Sequence, residues 1–358
     1  MFSAFPLLFS LISLLFPAQE ATIVFAGDAM QHQRQLDAAR EADNTYDYSQ
    51  CFSAVAPWIA DADYAVVNLE TVLGGKGYSG YPCFCTPDSY AQALRDAGFD
   101  MLLTGNNHTL DRRDGGLKRT VQVLDSLGVD HIGTYSDAAS RKRAIPQIKN
   151  IKGFKVGFLN YTFCTNGLSV SGDAVVDYTD REQMRRDIES TRVAGAELVV
   201  VIPHWGTEYR LLPDSWQKSM AKYLLDLDVD MIIGGHPHVI QPMEVHENPR
   251  TGRRQLLVYS LGNFISGMRT TDTRGGAMVR TIIKRDDKGN AYFDKAEYRL
   301  VFVVTGTCPQ DNYRLIFVDD DGGSALTGLK RSQCKAFTTN AIRIFNGHNK
   351  DVPRHIGR

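Results

Sequence analysis

Five short segments carry side chains that could share one task. Asp28 ends "TIVFAGD", Glu70 ends "YAVVNLE", Asn107 and His108 follow "DMLLTGN", His204 lies in "ELVVVIPHW", and His236 and His238 stand in "GGHPHV". Carboxylates, an amide carbonyl and neutral imidazoles make a mixed oxygen and nitrogen donor set, the kind that holds zinc, manganese or iron. A divalent ion in such a set brings the pKa of bound water toward about 7, so hydrolysis is the natural chemistry. Each residue alone also has an ordinary structural use. Asp28 could cap a helix, Asn107 could stabilise a turn, His204 could be a satisfied core histidine, and two histidines do not close a coordination sphere. The joint pattern is what points to a metal.

Strands must position these groups. Apolar runs of strand length occur at 22–28, 64–70, 100–106, 155–161, 197–205, 229–236 and 256–264. Between several of them lie segments of helical periodicity at 88–98, 114–128, 180–195 and 214–228, each opening with an Asp that could serve as N-cap. Such alternation predicts an α/β fold, in which ligands bind beyond the carboxyl ends of strands. The candidate residues fall at those ends, several beside glycines where the backbone can turn sharply. Residues 276–304 predict an antiparallel hairpin around "DDKGN", and 305–358 read as a tail or small appendage.

At 358 residues the chain can form one large α/β domain with a tail, or two ordinary domains. Its 43% hydrophobic and 23% charged residues exclude wholesale disorder and a helical membrane bundle. A formal net charge of -1 with scattered Lys and Arg speaks against nucleic acid as a partner. The uncharged opening "MFSAFPLLFSLISLLFP" reads as a secretory signal peptide over 1–20, which implies export to the periplasm or cell envelope. Six cysteines suit disulfides in that setting, with 15 possible pairings; Cys308 and Cys334 bracket the C-terminal segment as its expected staple. Cys83 and Cys85 could bind zinc, but no second pair completes such a site.

The series "GDAM" 27–30, "VNLET" 67–71, "GNNHTLD" 105–111, "PHWGTEY" 203–209, "GGHPHVIQP" 234–242 and "YSLGNF" 259–264 resembles the CapA family of poly-γ-glutamate capsule biosynthesis proteins, which looks like a branch of the calcineurin-like metallophosphoesterases. The resemblance runs from about 22 to 304. It implies a four-layer αββα sandwich over 21–304, with 305–358 as a C-terminal appendage. It implies that Asp28 and His238 serve one metal, that Asn107, His204 and His236 serve a second, and that Glu70 takes the place of a bridging Asp. Catalytic His108 would assist the leaving group. Met30 occupies the first-motif position where the superfamily has a histidine, with His32 as a conceivable substitute.

Around these, Asp111 and Glu208 lie close enough in sequence to orient functional histidines, or could equally be surface carboxylates. Asn263 and Ser260 could touch substrate or shape a turn, and Arg269 and Arg274 could clamp an anion or line a solvated loop. The function implied is an exported, metal-dependent, phosphoesterase-like hydrolase that uses one or two zinc, manganese or iron ions in capsule or poly-γ-glutamate handling. Its substrate would be an anionic polymer or a small phosphoester, with envelope-associated polymer synthesis machinery as a partner. Two alternatives are a non-catalytic, metal-containing polymer-binding or assembly component, and an amide hydrolase acting on γ-linked glutamate or cell-wall peptide.

Overall fold

The computed structural model describes residues 19–318 and 323–355. Most of the expected signal peptide, up to residue 18, lies outside the described residues. In chain order the strands are β1 (Glu20–Ala29), β2 (Tyr64–Leu69), β3 (Met101–Leu103), β4 (Asp130–Ile132), β5 (Thr134–Tyr135), β6 (Gln147–Ile151), β7 (Phe154–Thr162), β8 (Val175–Val176), β9 (Leu198–His204), β10 (Met231–Ile233), β11 (Met243–Glu247), β12 (Arg254–Val258), β13 (Asn263–Ile265), β14 (Gly275–Arg285), β15 (Ala291–Val304) and β16 (Arg314–Phe317). The helices are α1 (Gln33–Ala39), α2 (Ala56–Ala60), α3 (Asp88–Asp96), α4 (Arg113–Leu127), α5 (Ala138–Ala144), α6 (Arg181–Val193), α7 (Ser215–Asp226) and α8 (Gly328–His348).

One sheet runs β16-β15-β14-β1-β2-β3-β4, with β13 added beside β1; the other runs β11-β12-β10-β9-β7-β6. Side-chain alternation stacks them. On β1, Ile23 and Phe25 face the second sheet's Val156, Val200 and Met231, whereas Val24 and Ala26 pack outward with Ile59 and Leu94 of α2 and α3. On β9, Leu198, Val200 and Ile202 point inward while Val199 and Val201 meet Met184, Ile188 and Leu224 of α6 and α7. The result is the αββα sandwich.

The predicted helices form, but only two begin as expected. Asp180 and Asp214 accept the N–H groups of Gln183 and Gln217 at 2.8 Å, as N-caps do. In α3 and α4 the caps are Pro87 and Arg112. Asp88 instead pairs with Arg119, and Asp114 accepts N–H groups from Ser171 and Gly172.

The run at 256–264 is two strands rather than one. It breaks after Val258, and Gly262 (φ +69°) turns the chain so that β13 crosses to the first sheet and pairs with β1. The C-terminal residues, expected as a tail or appendage, add β16 to a sheet edge and lay α8 along the core through Phe337, Ile344 and Phe345.

The expected disulfide staple is absent: all six cysteines are free. Cys334 is buried in the apolar face of α8, and Cys308 sits in a turn closed by Asp311, so packing fastens this segment instead. Cys83 is exposed while Cys85 is buried with its thiol toward the Lys76 carbonyl, so the two do not face a common ion. Among the described residues no helix is long and apolar enough to cross a membrane.

Candidate metal centre

The carboxyl ends of β1, β2, β3, β9 and β10 converge where the two sheets meet, and each expected donor lies in or just after one of them. Close backbone approach makes this possible. A Cβ on Gly27 would overlap the Gly262 carbonyl oxygen, and one on Gly235 would come within 2.9 Å of Asp28 Oδ1. His236 and His238 adopt φ of +100° and +59°, a left-handed geometry that costs a non-glycine residue on the order of 1–3 kcal/mol. That strain turns both rings inward, where they are buried.

Two donor groups form around one shared carboxylate. Glu70, His204 and His236 bring ligand atoms within 4.8 Å of one another, and so do Asp28, Glu70 and His238. In the first group His204 Nε2 is 2.8 Å from Asn107 Oδ1, 3.2 Å from His236 Nδ1 and 3.6 Å from Glu70 Oε1. In the second, His238 Nδ1 is 3.4 Å from Asp28 Oδ2 and His238 Nε2 is 3.8 Å from Glu70 Oε1. Glu70 Oε1 is fully buried and has no hydrogen-bond partner. Leaving a carboxylate oxygen so placed is costly unless a cation serves it. The donor set, converging on an oxygen that accepts no hydrogen bond, fits a divalent ion.

The groups differ in electrostatics. Burial, together with the neighbouring His204 and His238, holds His236 well below the usual imidazole range, so its ring is neutral and ready to ligate. Burial also opposes charge on His238, but Glu70 and Asp28 overcome it and raise its pKa to about 9. Asp28 moves the other way: burial pushes its carboxyl up, yet His238, His204 and Asn68 bring it down to about 2. His238 thus acts as an internal cation between two carboxylates and must lose a proton to ligate.

Asp111 meets the ring of His108, one of the two places open to it from the sequence. Asp111 Oδ2 lies 2.7 Å from His108 Nδ1 and accepts the Phe84 N–H at 2.6 Å. A carboxylate only accepts, so this contact favours the tautomer with the proton on Nδ1 and leaves Nε2 free of it. Asn263 stands beside Asp28 in the β1–β13 ladder and places Oδ1 3.1 Å from His238 Nδ1, while its amide donates to the Thr273 carbonyl. It orients the ring.

Other expectations fail or take a structural role. Glu208 is exposed and hydrogen-bonds no site histidine; it reaches His238 only through its charge. His32 receives the Gly267 N–H on Nδ1 and packs edge-on against Phe84, and burial holds its pKa near about 4. It is occupied as part of the α1 start. Met30 is buried, with its carbonyl accepting from Gln35 and Tyr90. Ser260 bonds the Val239 carbonyl and so shapes the β12–β13 turn. Arg269 is exposed, Arg274 is half-buried, and neither bonds a site residue.

Two asparagines inside the motifs have roles that residue type did not reveal. Asn68 Nδ2 donates to Asp28 Oδ1 at 2.8 Å and to Glu70 Oε2 at 3.3 Å, and also lies 3.4 Å from His204 Nδ1. One amide therefore touches both donor groups. Asn106 donates to Asn68 Oδ1 at 3.1 Å and accepts the His108 N–H at 3.1 Å, which joins the carboxylates to the His108 loop. The available signal was their place in "VNLE" and "GNNH", next to residues already singled out. A third, Asn166 (φ +51°), accepts from the Asn107 amide at 3.2 Å.

The chain is 27% identical over 290 residues to the capsule biosynthesis protein CapA of Bacillus anthracis, covering 77% of this chain and 66% of that one. It is also 27% identical over 272 residues to the PGA biosynthesis protein CapA of Bacillus subtilis (strain 168), covering 74% and 68%. The chain therefore spans about two thirds of the length of these relatives. Among solved structures it resembles the NAD nucleotidase of Haemophilus influenzae (TM-score 0.50, 14% identity, 94% of this chain and 58% of that one) and a putative 5'-nucleotidase from Staphylococcus aureus (0.51, 13%, 90% and 58%). At those identities the likeness bears on the fold alone, which is an αββα sandwich. Residues 22–268 match the family described as bacterial capsule synthesis protein PGA_cap, well over half of the chain, and the protein belongs to that family.

Proposed function

We propose that the chain is an exported, metal-dependent hydrolase of the phosphoesterase type that handles a capsule or cell-envelope polymer or a small phosphoester. The observation that supports it most is the buried Glu70 Oε1, which accepts no hydrogen bond and is shared by two donor groups. Glu70, Asn107, His204 and His236 would hold one ion, and Asp28, Glu70 and His238 a second. A divalent ion there supplies Lewis acidity toward a phosphoryl oxygen and water acidified toward a pKa of about 7.

The chain's own residues supply the rest. Asn68 holds Asp28 and Glu70 with their oxygens turned to the donor groups. Asn263 fixes the plane of the His238 ring. Asp111 keeps the His108 proton on Nδ1, so Nε2 can carry a proton to a departing alkoxide. Phe84 packs edge-on against His108 at 4.6 Å and limits its rotation.

Metal content and hydrolysis of bis(p-nitrophenyl) phosphate test this reading on wild type and Glu70→Ala. Metal-dependent turnover that the substitution abolishes is expected. A metal-loaded but inert wild type would instead indicate a polymer-binding or assembly component. An amide hydrolase acting on γ-linked glutamate draws support from the relative named for PGA biosynthesis. Release of glutamate from that polymer without phosphodiester cleavage would favour it.

A further inference from the structure

Two exposed aromatic rings lie against histidines of the metal centre, and a third stands one ring farther out. Phe163 (37% exposed) lies 4.7 Å, ring to ring, from His236; Tyr209 (55%) lies 6.2 Å from His238; Tyr81 (73%) lies 6.4 Å from Phe84, which backs His108. They come from three separate loops.

Hydrogen bonds tie the Phe163 and Tyr209 loops to the site and close the Tyr81 loop on itself. The Phe163 N–H donates to the His204 carbonyl at 3.0 Å, and the Tyr209 N–H donates to the carbonyl of Pro237, between the two histidines, at 2.9 Å. Ser79 and Cys85 exchange N–H···O bonds at 3.0 and 2.9 Å and so close the Tyr81 loop, while Phe84 N–H donates to Asp111. Farther along the Phe163 loop, Asp114 holds Ser171 and Gly172. Rings held this way lose little entropy when they meet a ligand. Apolar faces left in water beside a polar centre gain by being covered, and a flat or ring-shaped group covers them best. Glu208, exposed next to Tyr209, adds negative charge to the rim and repels a further carboxylate.

We propose that Phe163, Tyr209 and Tyr81 form a stacking rim that receives the uncharged, ring-bearing part of a phosphoester whose phosphoryl end reaches Glu70. The assignment rests on the phosphoesterase reading above and narrows its substrate. It selects a phosphoester of an aromatic or pyranose alcohol over one with an acyclic or polycarboxylate chain.

Calorimetric binding of methylphosphonate, phenylphosphonate and a pyranose-bearing phosphonate to the manganese-loaded protein tests it without turnover. At least one ring-bearing probe should bind roughly tenfold or more tightly than methylphosphonate, the scale of one aromatic contact. Preference for phenyl identifies a planar ring, and preference for the pyranose identifies a sugar. In Phe163→Ala/Tyr209→Ala the preference should fall to about twofold or less, whereas Phe163→Tyr and Tyr209→Phe keep it. Equal affinity of all three probes in wild type, or an undiminished preference in the double variant, overturns the rim alone. Failure of every phosphonate to bind overturns the phosphoesterase reading and the rim with it.

Discussion

Replacing Asn68 with leucine, which keeps the branching and the number of side-chain heavy atoms, tests the organisation of the centre more sharply than removing a ligand. The amide makes a 2.8 Å bond to Asp28 and a longer 3.3 Å bond to Glu70, both buried. A hydrogen bond to a charged group contributes about 1.5–3 kcal/mol, and the longer one less. Leucine spares the cost of burying the amide, which offsets part of the loss. Asn106 keeps its 2.9 Å bond to the Leu69 carbonyl, so little further damage follows on that side. The net expectation is a metal-free protein destabilised by about 2 kcal/mol. Manganese or zinc affinity should fall about 10–100-fold, the usual effect of removing a group that orients metal ligands. Urea unfolding in chelator and calorimetric metal titration read the two effects separately. Metal affinity within twofold of wild type, with stability unchanged, would refute the role of Asn68.

Other perturbations follow from the same geometry. His108→Gln should lower turnover of bis(p-nitrophenyl) phosphate by about 10²–10⁴-fold with metal content intact, and Asp111→Asn should lower it by less; an unchanged rate would remove His108 from the chemistry. In the metal-free protein, His238 is raised from 6.5 to about 9, so its contribution is full below pH 6.5 and is lost as pH rises through 9. Asp28 is lowered from 3.8 to about 2, so its contribution is full above pH 3.8 and is lost as pH falls through 2. Chelated protein should therefore lose on the order of 2–3 kcal/mol between pH 6.5 and 9, as read by urea midpoints, and a flat profile would contradict the pairing. Gly27→Ala places a methyl group against the Gly262 carbonyl and should destabilise by about 1–3 kcal/mol or more, measured by thermal unfolding.

Much of the centre was legible because strand ends in an α/β sandwich are marked by buried apolar runs that stop at polar residues. Asp28, Glu70, Asn107, His204, His236 and His238 could be read that way, and the structure brings all six together. Asn68 could not. It lies within a continuous apolar run, and its importance depends on which strand stands beside it. For Glu208 the surface reading is the one that holds: the chain turns through Gly206 (φ +93°) and carries the carboxylate out to solvent. The 256–264 run has one uninterrupted pattern, so the crossing of β13 to the other sheet was hidden. In α8 the apolar residues are diluted by polar ones along 21 residues, and its helix emerges only through burial against β15. Pairing Cys308 with Cys334 assumed that the segment needed a covalent staple, whereas Phe337 and Phe345 already hold it.

Anomalous scattering from manganese-soaked crystals bears most directly on Glu70 as the hinge of two donor groups. One peak should lie among Glu70, Asn107, His204 and His236, and any second peak should touch Glu70, Asp28 and His238, strengthening as pH rises toward 9 and His238 gives up its proton. A bound ion that does not touch Glu70, or one held by His32, would contradict the arrangement.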